Sequence, residues 1–165
     1  MHELRQHRCC FTGHRPEKLQ IPPSQVRALL KEAVEEAIAD GYTTFITGMA
    51  RGVDLWAAAI VLEKRSRNPN IRLICASPYE GFERRWNEND RNNYHEIVQH
   101  SDLNRHICAH YSRACFQIRN AWMVDHSARV IAAYNGASGG TKNTIAYAKR
   151  KQVEIVNILE KVKSC

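Results

Sequence analysis

Residues 43–64 read TTFITGMARGVDLWAAAIVLEK and contain a complete strand–turn–helix unit. The run TTFIT at 43–47 is rich in β-branched and aromatic residues, which favour a strand. Residues 53–65 predict a helix, and only a short segment with two glycines separates it from the strand. A strand that passes into a helix through so short a turn is typical of parallel α/β sheets.

The same alternation of strand and helix patterns continues on both sides of this unit. It is clearest between Val26 and Ile38, where apolar residues recur at helical spacing and predict a helix over residues 24–40. Ser24 is expected to be its N-cap, and Gly41 lies just past its end, where a left-handed residue is expected. The predicted strands are 8–12, 43–47, 71–76, 103–109, 129–134 and 153–159, and the other predicted helices are 53–65, 81–100 (one or two irregular helices), 113–126 and 139–151.

Strands that alternate with helices over short connections form βαβ units, whose strands run parallel and whose helices cover both faces of the sheet. We therefore predict an α/β protein with a three-layer Rossmann-like fold and a mostly parallel central sheet. The sequence contains neither an internal repeat nor a low-complexity linker. We expect a single domain over residues 1–165, with its core at about 8–159.

The composition is that of an ordinary globular domain, because 44% of the 165 residues are hydrophobic and 25% are charged. These proportions exclude a disordered chain, a collagen-like rod and a coiled coil. No apolar run reaches the ~20 residues of a membrane span, and no secretory signal is found, so we expect a cytoplasmic protein without a membrane partner. The six cysteines are expected to be free thiols, and the net charge of +7 favours anionic partners.

The turns that follow the strands are the first candidates for a site, since ligands of open α/β sheets bind at the carboxyl ends of the strands. After the first strand, Gly13 lets a ligand approach the backbone closely, while His14 and Arg15 offer donors to a phosphate. After the second strand, Gly48 and Gly52 suit a turn whose free amides surround a phosphate. Both turns therefore predict an anion site.

Two further groups of polar residues belong to predicted helices. Arg51 precedes one helix, and Asp54 lies in its first turn, where it can cap the helix, orient the turn or bind a ribose hydroxyl. Arg119 and Asn120 lie on a later helix, with Asp125 further along it. Their side chains are candidate ligand contacts, although an arginine there can equally form a surface ion pair.

Gly139, Gly140 and Thr141 follow the fifth strand and open the next helix, where they present backbone amides and a hydroxyl to an anion. Together the four groups predict donor-rich turns at one edge of one sheet. This arrangement favours a phosphate-bearing small molecule as the ligand. His14 is the one histidine that we consider for catalysis.

The order of these motifs along the chain is itself informative. Over roughly residues 8–159 the chain contains Gly13-His14-Arg15, Thr47-Gly48 to Asp54, Pro78 with Trp86, Arg119-Asn120 to Asp125, and Gly139-Gly140-Thr141. This set resembles the SLOG superfamily, specifically its small bacterial YpsA-like branch. The superfamily also includes the Rossmann-like domain of the DNA-processing protein DprA and the lonely-guy phosphoribohydrolases.

The resemblance implies a Rossmann-like fold and a nucleotide or nucleotide-derived ligand, bound by a sensor or regulatory module. It also implies a homodimer, but no settled reaction and no resident cofactor. The resemblance carries ligand-binding roles onto Gly13, Arg15, Gly48, Gly52, Asp54, Arg119, Asn120, Gly139, Gly140 and Thr141.

The chain departs from the lonely-guy enzymes at the residues of their reaction. Those enzymes carry Pro-Gly-Gly-x-Gly-Thr-x-x-Glu, whereas the Pro is Ser138 here and the Glu that takes part in cleavage is Ala146. We therefore expect no release of a free base from purine monophosphates. A different hydrolase, acting on a glycosidic or phosphate linkage, is the second hypothesis, with candidate acid or base groups at Asp54, Glu80, Glu83 and Asp125.

Two more hypotheses follow from composition and spacing. The positive charge is compatible with single-stranded nucleic acid, which is the third and less favoured partner. A metal site is conceivable because His106, Cys108 and His110 share one face of a strand with Cys115 nearby. Their spacing is unlike that of the usual zinc modules, so we predict no metal.

Overall fold

The computed structural model describes residues 2–163, in which strands and helices alternate as predicted. The strands are β1 (Arg8–Gly13), β2 (Thr44–Thr47), β3 (Arg72–Ser77), β4 (Leu103–His106), β5 (Arg129–Ala133) and β6 (Glu154–Asn157). The helices are α1 (His2–Arg5), α2 (Pro16–Leu19), α3 (Pro23–Ala39), α4 (Val53–Arg67), α5 (Glu88–His100), α6 (Cys115–Asp125), α7 (Gly140–Arg150) and α8 (Glu160–Lys163).

The strands form one sheet in the order β4-β3-β2-β1-β5-β6, and every neighbouring pair is parallel. Within the sheet, the chain passes from β1 outward through β2 and β3 to β4, and returns to the other side of β1 with β5. The strand order therefore reverses between β1 and β5. The predicted α/β fold with a parallel central sheet is confirmed.

Helices cover both faces of this sheet, and two neighbouring cysteines of β1 show how the sequence divides between them. Because successive side chains of a strand point to opposite faces, Cys9 and Cys10 are both fully buried but in different cores. Cys9 belongs to the core that α3 and α4 complete, and α5 packs against α4. Cys10 belongs to the second core, with Met123 of α6 and Ala148 of α7.

The start of α3 differs from the prediction. Pro22 is its N-cap and Pro23 its first helical residue, so Ser24 lies inside the helix and the prediction that it caps the helix is wrong. A proline suits this first position because its missing amide would have no helical partner there. The end of the helix agrees with the prediction, since Gly41 has a φ of 101°.

β4 is shorter than the predicted strand 103–109, because its partner β3 ends at Ser77 and Pro78 follows. The amides of Ile107 and Cys108 still donate to the carbonyl oxygens of Ser77 and Pro78, both at 2.9 Å, but the regular ladder has ended. Of the predicted segment 81–100, only α5 is helical. It begins where the Asn87 side chain accepts a hydrogen bond from the Asp90 amide at 2.8 Å.

Three short helices, α1, α2 and α8, were not predicted. β6 ends at Asn157, two residues before the predicted end of the strand 153–159, because a turn at Ile158 and Leu159 leads into α8. The cysteines that the structure describes are all free, as expected, and Cys165 lies outside the described residues. Within residues 2–163, no helix combines the length and the apolar character that crossing a membrane requires.

Candidate functional site

A cleft of about 730 Å³ opens where the strand order reverses, at the carboxyl ends of β1 and β5. It receives residues from the turn after β1, the turn before α4, the helix α6 and the start of α7. Ten of the predicted site residues line it: Gly13, His14, Arg15, Arg51, Asp54, Arg119, Asn120, Gly139, Gly140 and Thr141. Residues that are up to 128 positions apart in the sequence therefore meet at one edge of the sheet.

Gly48 and Gly52 do not line the cleft, and both instead allow close packing behind it. A Cβ atom at Gly48 would lie 3.0 Å from both the Arg119 guanidinium carbon and Asp54 Oδ2. At Gly52, φ is 88° and a Cβ atom would lie 2.8 Å from the Pro16 ring. The two glycines therefore let Arg119, Asp54 and Pro16 pack closely against the backbone of this turn.

Asp125 also lies away from the cleft, at the end of α6. Its carboxylate accepts a hydrogen bond from the Tyr147 hydroxyl at 2.7 Å and lies 4.0 Å from the Lys151 ammonium. The side chain therefore joins α6 to the end of α7. The structure brings twelve of the thirteen predicted residues into or directly behind the cleft, and Asp125 is the one that it does not.

The beginning of α7 presents free backbone amides to the cleft. Its N-cap is Gly139, which has no side chain to accept from the first amides of the helix, and no other side chain caps them. Gly139 has a φ of 136°, a conformation that other residues rarely adopt. The first turn of a helix without a cap attracts anions through its amides and its dipole.

Arg119 connects α6 to the turn that follows β2. It is 5% exposed, and its guanidinium donates to the Gly48 carbonyl oxygen and, at 2.7 Å, to Asn120 Oδ1. Burial lowers the pKa of Arg119, and the nearby Asp54 carboxylate opposes that shift. An arginine keeps its charge even so, because its ordinary pKa lies so far above neutrality.

Asp54 lies at the other side of that turn and is 7% exposed. Its Oδ2 accepts a hydrogen bond from the Ala50 amide at 3.1 Å, while Oδ1 has no hydrogen-bond partner. Burial raises the pKa of Asp54 to about 6, against the opposite effects of Arg119 and the Ala50 amide. The ionised carboxylate is therefore the major form at pH 7, and the group titrates in the range in which acid or base groups operate.

His14 is the second buried polar group of the cleft with an atom that has no partner. It is 4% exposed, its ring centroid lies 5.4 Å from that of Tyr134, and its Nε2 atom forms no hydrogen bond. Burial lowers the pKa of His14, Lys18 adds to the shift, and a hydrogen bond with Asn135 opposes it. His14 is therefore a neutral imidazole at pH 7.

Several cleft residues were not predicted, and the cations Lys18 and Arg85 are the most important of them. Lys18 belongs to α2, a helix of four residues that is too short to show a periodic pattern, and Arg85 belongs to the turns before α5. The sequence signal that could have indicated Lys18 and Arg85 as cleft residues was their position shortly after the ends of strands. Phe82 and Trp86 also line the cleft, and their rings pack edge to face with centroids 5.0 Å apart.

The structure also separates the candidate acid and base groups. Asp54 lines the cleft, whereas Glu80, Glu83 and Asp125 do not. Glu83 is buried and lies 3.3 Å from His95. Within residues 2–163, no three His, Cys, Asp or Glu side chains converge to hold a metal ion, which includes the group around His106.

Comparison with known proteins gives three results. The sequence model of the YspA SLOG family, named YpsA, matches residues 9–159. The uncharacterized SPbeta prophage-derived protein YoqJ of Bacillus subtilis (strain 168) is 31% identical over 134 residues, which cover 73% of this chain and 78% of that protein. A UPF0398 protein of Bacillus thuringiensis (strain Al Hakam) is 27% identical over 154 residues, covering 88% and 84% of the two chains.

A solved structure resembles the fold. It is that of DNA processing protein A from Helicobacter pylori, described for its single-stranded DNA binding mode. The TM-score is 0.62 at 18% identity, and the match covers 93% of this chain and 65% of that chain. The likeness supports the Rossmann-like arrangement described above.

Proposed function

Because this chain belongs to the YspA SLOG family, we propose that its cleft binds a nucleotide or nucleotide-derived small molecule and that the protein acts as a sensor or regulatory module. The observation that carries the proposal is the uncapped start of α7 beside a group of cations. Gly139, Gly140 and Thr141 line the same cleft as the cationic side chains of Arg15, Lys18, Arg51, Arg85 and Arg119. Free amides and positive charges together favour a phosphate.

The size and position of the cleft support a small molecule as the ligand. Its volume of about 730 Å³ lies within the range that is usual for cofactor and small-molecule pockets. It also opens where parallel sheets of this kind bind their ligands. Two buried polar atoms, on His14 and Asp54, have no hydrogen-bond partner, and a ligand would supply one.

A substitution at the start of α7 tests this proposal. A Cβ atom at Gly140 would have one neighbour within 4 Å, Asn120 Nδ2 at 3.9 Å, so there is room for the Cβ atom of both Gly140→Ala and Gly140→Asp. The aspartate places a carboxylate where the phosphate is proposed to bind, which favours the helix and repels the ligand. We expect Gly140→Asp to bind at least about tenfold more weakly than wild type, since it loses a charge-assisted contact, and Gly140→Ala to bind like wild type.

The measurement is a thermal-shift screen with nucleoside monophosphates and diphosphates, NAD and ADP-ribose, followed by calorimetric titration of whichever compounds raise the Tm. Without ligand, the Tm of Gly140→Asp should equal or exceed that of Gly140→Ala. If none of these compounds shifts the Tm of the wild-type protein, the proposal is wrong. Turnover of a bound compound would identify the hydrolase of the second hypothesis, for which Asp54 is the carboxylate in the cleft.

Binding of single-stranded nucleic acid is a second candidate, favoured by the exposed cations at the mouth of the cleft. Arg15, Lys18 and Arg85 are exposed there, and the structural neighbour from Helicobacter pylori is described as binding single-stranded DNA. A gel-shift series with an oligonucleotide at increasing salt tests it. Binding through these cations should weaken steeply with salt, while a small nucleotide held by amides should depend on salt much less.

The homodimer stays a prediction, which a measurement of molar mass in solution checks.

A further inference from the structure

We infer that the ligand of the cleft is a ribonucleotide and that Asp54 accepts a hydrogen bond from a hydroxyl group of its ribose. This inference rests on the proposed nucleotide-binding function and names the class of nucleotide. The charge of Asp54 is opposite to that of the other charged residues that line the cleft.

Asp54 is the one carboxylate among the described residues that line the cleft, where the other charged side chains are cations. A carboxylate repels a phosphate, so the part of the ligand beside Asp54 must instead donate hydrogen bonds. Oδ1 has no partner in the protein, and Oδ2 accepts one hydrogen bond from the Ala50 amide. A buried oxygen without a partner is costly, so a donor supplied by the ligand contributes strongly to binding.

The position of Asp54 relative to α7 indicates which donor this is. A Cβ atom built on Gly140, the first helical residue, would lie 3.9 Å from Asn120 Nδ2, and Asn120 Oδ1 accepts a hydrogen bond from Arg119 at 2.7 Å. Arg119 and Asp54 then meet at Gly48, where a Cβ atom would lie 3.0 Å from the guanidinium of one and the carboxylate of the other. Asp54 is thus separated from the phosphate site by two side chains.

In a nucleotide, the sugar is the unit next to the phosphate, and the base is one unit further away. With the phosphate at the start of α7, the sugar reaches Asp54 while the base extends toward the aromatic side chains of Phe82, Trp86 and Phe116, which line the same cleft. The donors of the sugar are its hydroxyl groups. An acidic side chain that accepts from a ribose hydroxyl is a recurring solution in nucleotide-binding α/β folds.

A hydrogen bond from a ribose hydroxyl to Asp54 would make the cleft discriminate against DNA and its deoxyribonucleotides. A 2′-deoxy nucleotide lacks one of the two hydroxyl groups, so it leaves the buried oxygen of Asp54 without its donor. A site built around such a hydrogen bond discriminates against the analogue that lacks the group. The protein should therefore distinguish ribonucleotides from deoxyribonucleotides.

Calorimetric titration of the wild-type protein with ADP, 2′-deoxy-ADP and 3′-deoxy-ADP tests this consequence, and GDP, CDP and UDP with their 2′-deoxy forms extend it to the other bases. We expect at least one deoxy form to bind about tenfold or more weakly than its ribose form, as the loss of a hydrogen bond to a charged group predicts. In Asp54→Asn, which keeps an acceptor oxygen but loses the charge, this preference should fall several-fold. Asp125→Asn, which changes a carboxylate outside the cleft, should keep the full preference.

The outcomes distinguish a failure of the ribose contact at Asp54 from a failure of nucleotide binding itself. Equal affinity for ribose and deoxy forms in the wild-type protein overturns the inference and leaves nucleotide binding intact. A preference set by the base alone, with no effect of the sugar, overturns it as well. If no nucleoside diphosphate binds, the inference is overturned, and the proposed function fails as well if the nucleoside monophosphates, NAD and ADP-ribose also leave the Tm unchanged. The wild-type comparison needs no variant, and urea unfolding of Asp54→Asn shows whether that variant is folded.

Discussion

At the scale of single residues, the pKa of Asp54 is set by two opposing effects, its burial and its polar neighbours. Its burial disfavours the charged carboxylate, while the Arg119 guanidinium and the Ala50 amide favour it. Burial has the larger effect, so the folded protein binds a proton at Asp54 more tightly than the unfolded chain does. Such a residue lowers stability at neutral pH, and a fold that retains it for no purpose would be unusual.

The raised pKa gives a prediction for stability against pH. The unfolded carboxyl group has a pKa of 3.8 and the folded one of about 6. Because the folded state holds the proton between these values, the contribution of Asp54 to stability should fall as the pH rises from about 4 to about 6, and the loss should be complete above that. Its size is on the order of 3 kcal/mol, at about 1.4 kcal/mol for each pKa unit.

Urea unfolding of wild type and Asp54→Asn at several pH values between 4 and 7 measures this effect. Taking the difference between the two proteins removes the titration of His14 and of all other groups that the substitution leaves in place. The asparagine variant should gain stability relative to wild type as the pH rises through this range. A difference that is constant with pH would show that Asp54 titrates alike in both states.

The sequence showed most of the candidate site at this scale, and the physical reason is topological. Turns that follow parallel strands meet at one edge whatever their distance in the chain, so residues such as Gly13 and Thr141 could be assigned together. Asp125 was included because it follows Arg119 on one helix, but it lies six residues further along α6, more than one and a half turns away. Lys18 was missed because its position depends on α2, whose four residues carry no periodic pattern.

At the scale of elements, Arg119 is the contact by which α6 holds the turn between β2 and α4. Its guanidinium donates both to a backbone carbonyl oxygen of that turn and to its neighbour Asn120. A lysine has the same charge but cannot form this planar pair of hydrogen bonds. The arrangement of two cleft walls therefore depends on one buried side chain.

Arg119→Lys should destabilise the protein by about 2 kcal/mol, because it leaves buried acceptors without their donors. Arg113→Lys, two residues before α6 and exposed, is the matched control and should change the free energy of unfolding by less than about 0.5 kcal/mol. Urea unfolding at pH 7 measures both variants. Equal stability of the two variants would mean that the contacts of Arg119 are exchangeable with water.

The elements themselves followed from the sequence except where a neighbour determines the boundary. The helix pattern between Val26 and Ile38 and the glycine at 41 located α3, because both signals are local. The end of β4 could not be located in the same way, since it depends on the end of β3 and the proline at 78. β6 likewise ends at the turn that leads into α8, and a helix of four residues has too few positions to show periodicity.

At the scale of the whole molecule, the reversal of strand order between β1 and β5 determines which segments of the chain a ligand in the cleft can stabilise. Besides residues of α6 and of 82–87, three turns from different parts of the chain bring residues to the cleft, at 12–15, 48–54 and 139–141. They are joined to one another through the sheet and through side chains such as Arg119. A ligand that contacts all three stabilises them together, even though each is a separate surface turn.

Hydrogen–deuterium exchange with and without ADP tests this coupling. At an ADP concentration about ten times its Kd, exchange in all three segments should slow by up to about tenfold, because the ligand must leave before a bound segment opens. The turns at the opposite edge of the sheet, at residues 41–43 and 126–128, are the internal control and should exchange at unchanged rates wherever global unfolding does not control them. Protection of one segment alone would place ADP on a single loop, and equal protection of both edges would indicate a general stabilisation without contact at the cleft. Only protection that is shared by the three segments and absent from the opposite edge agrees with a ligand bound where the strand order reverses.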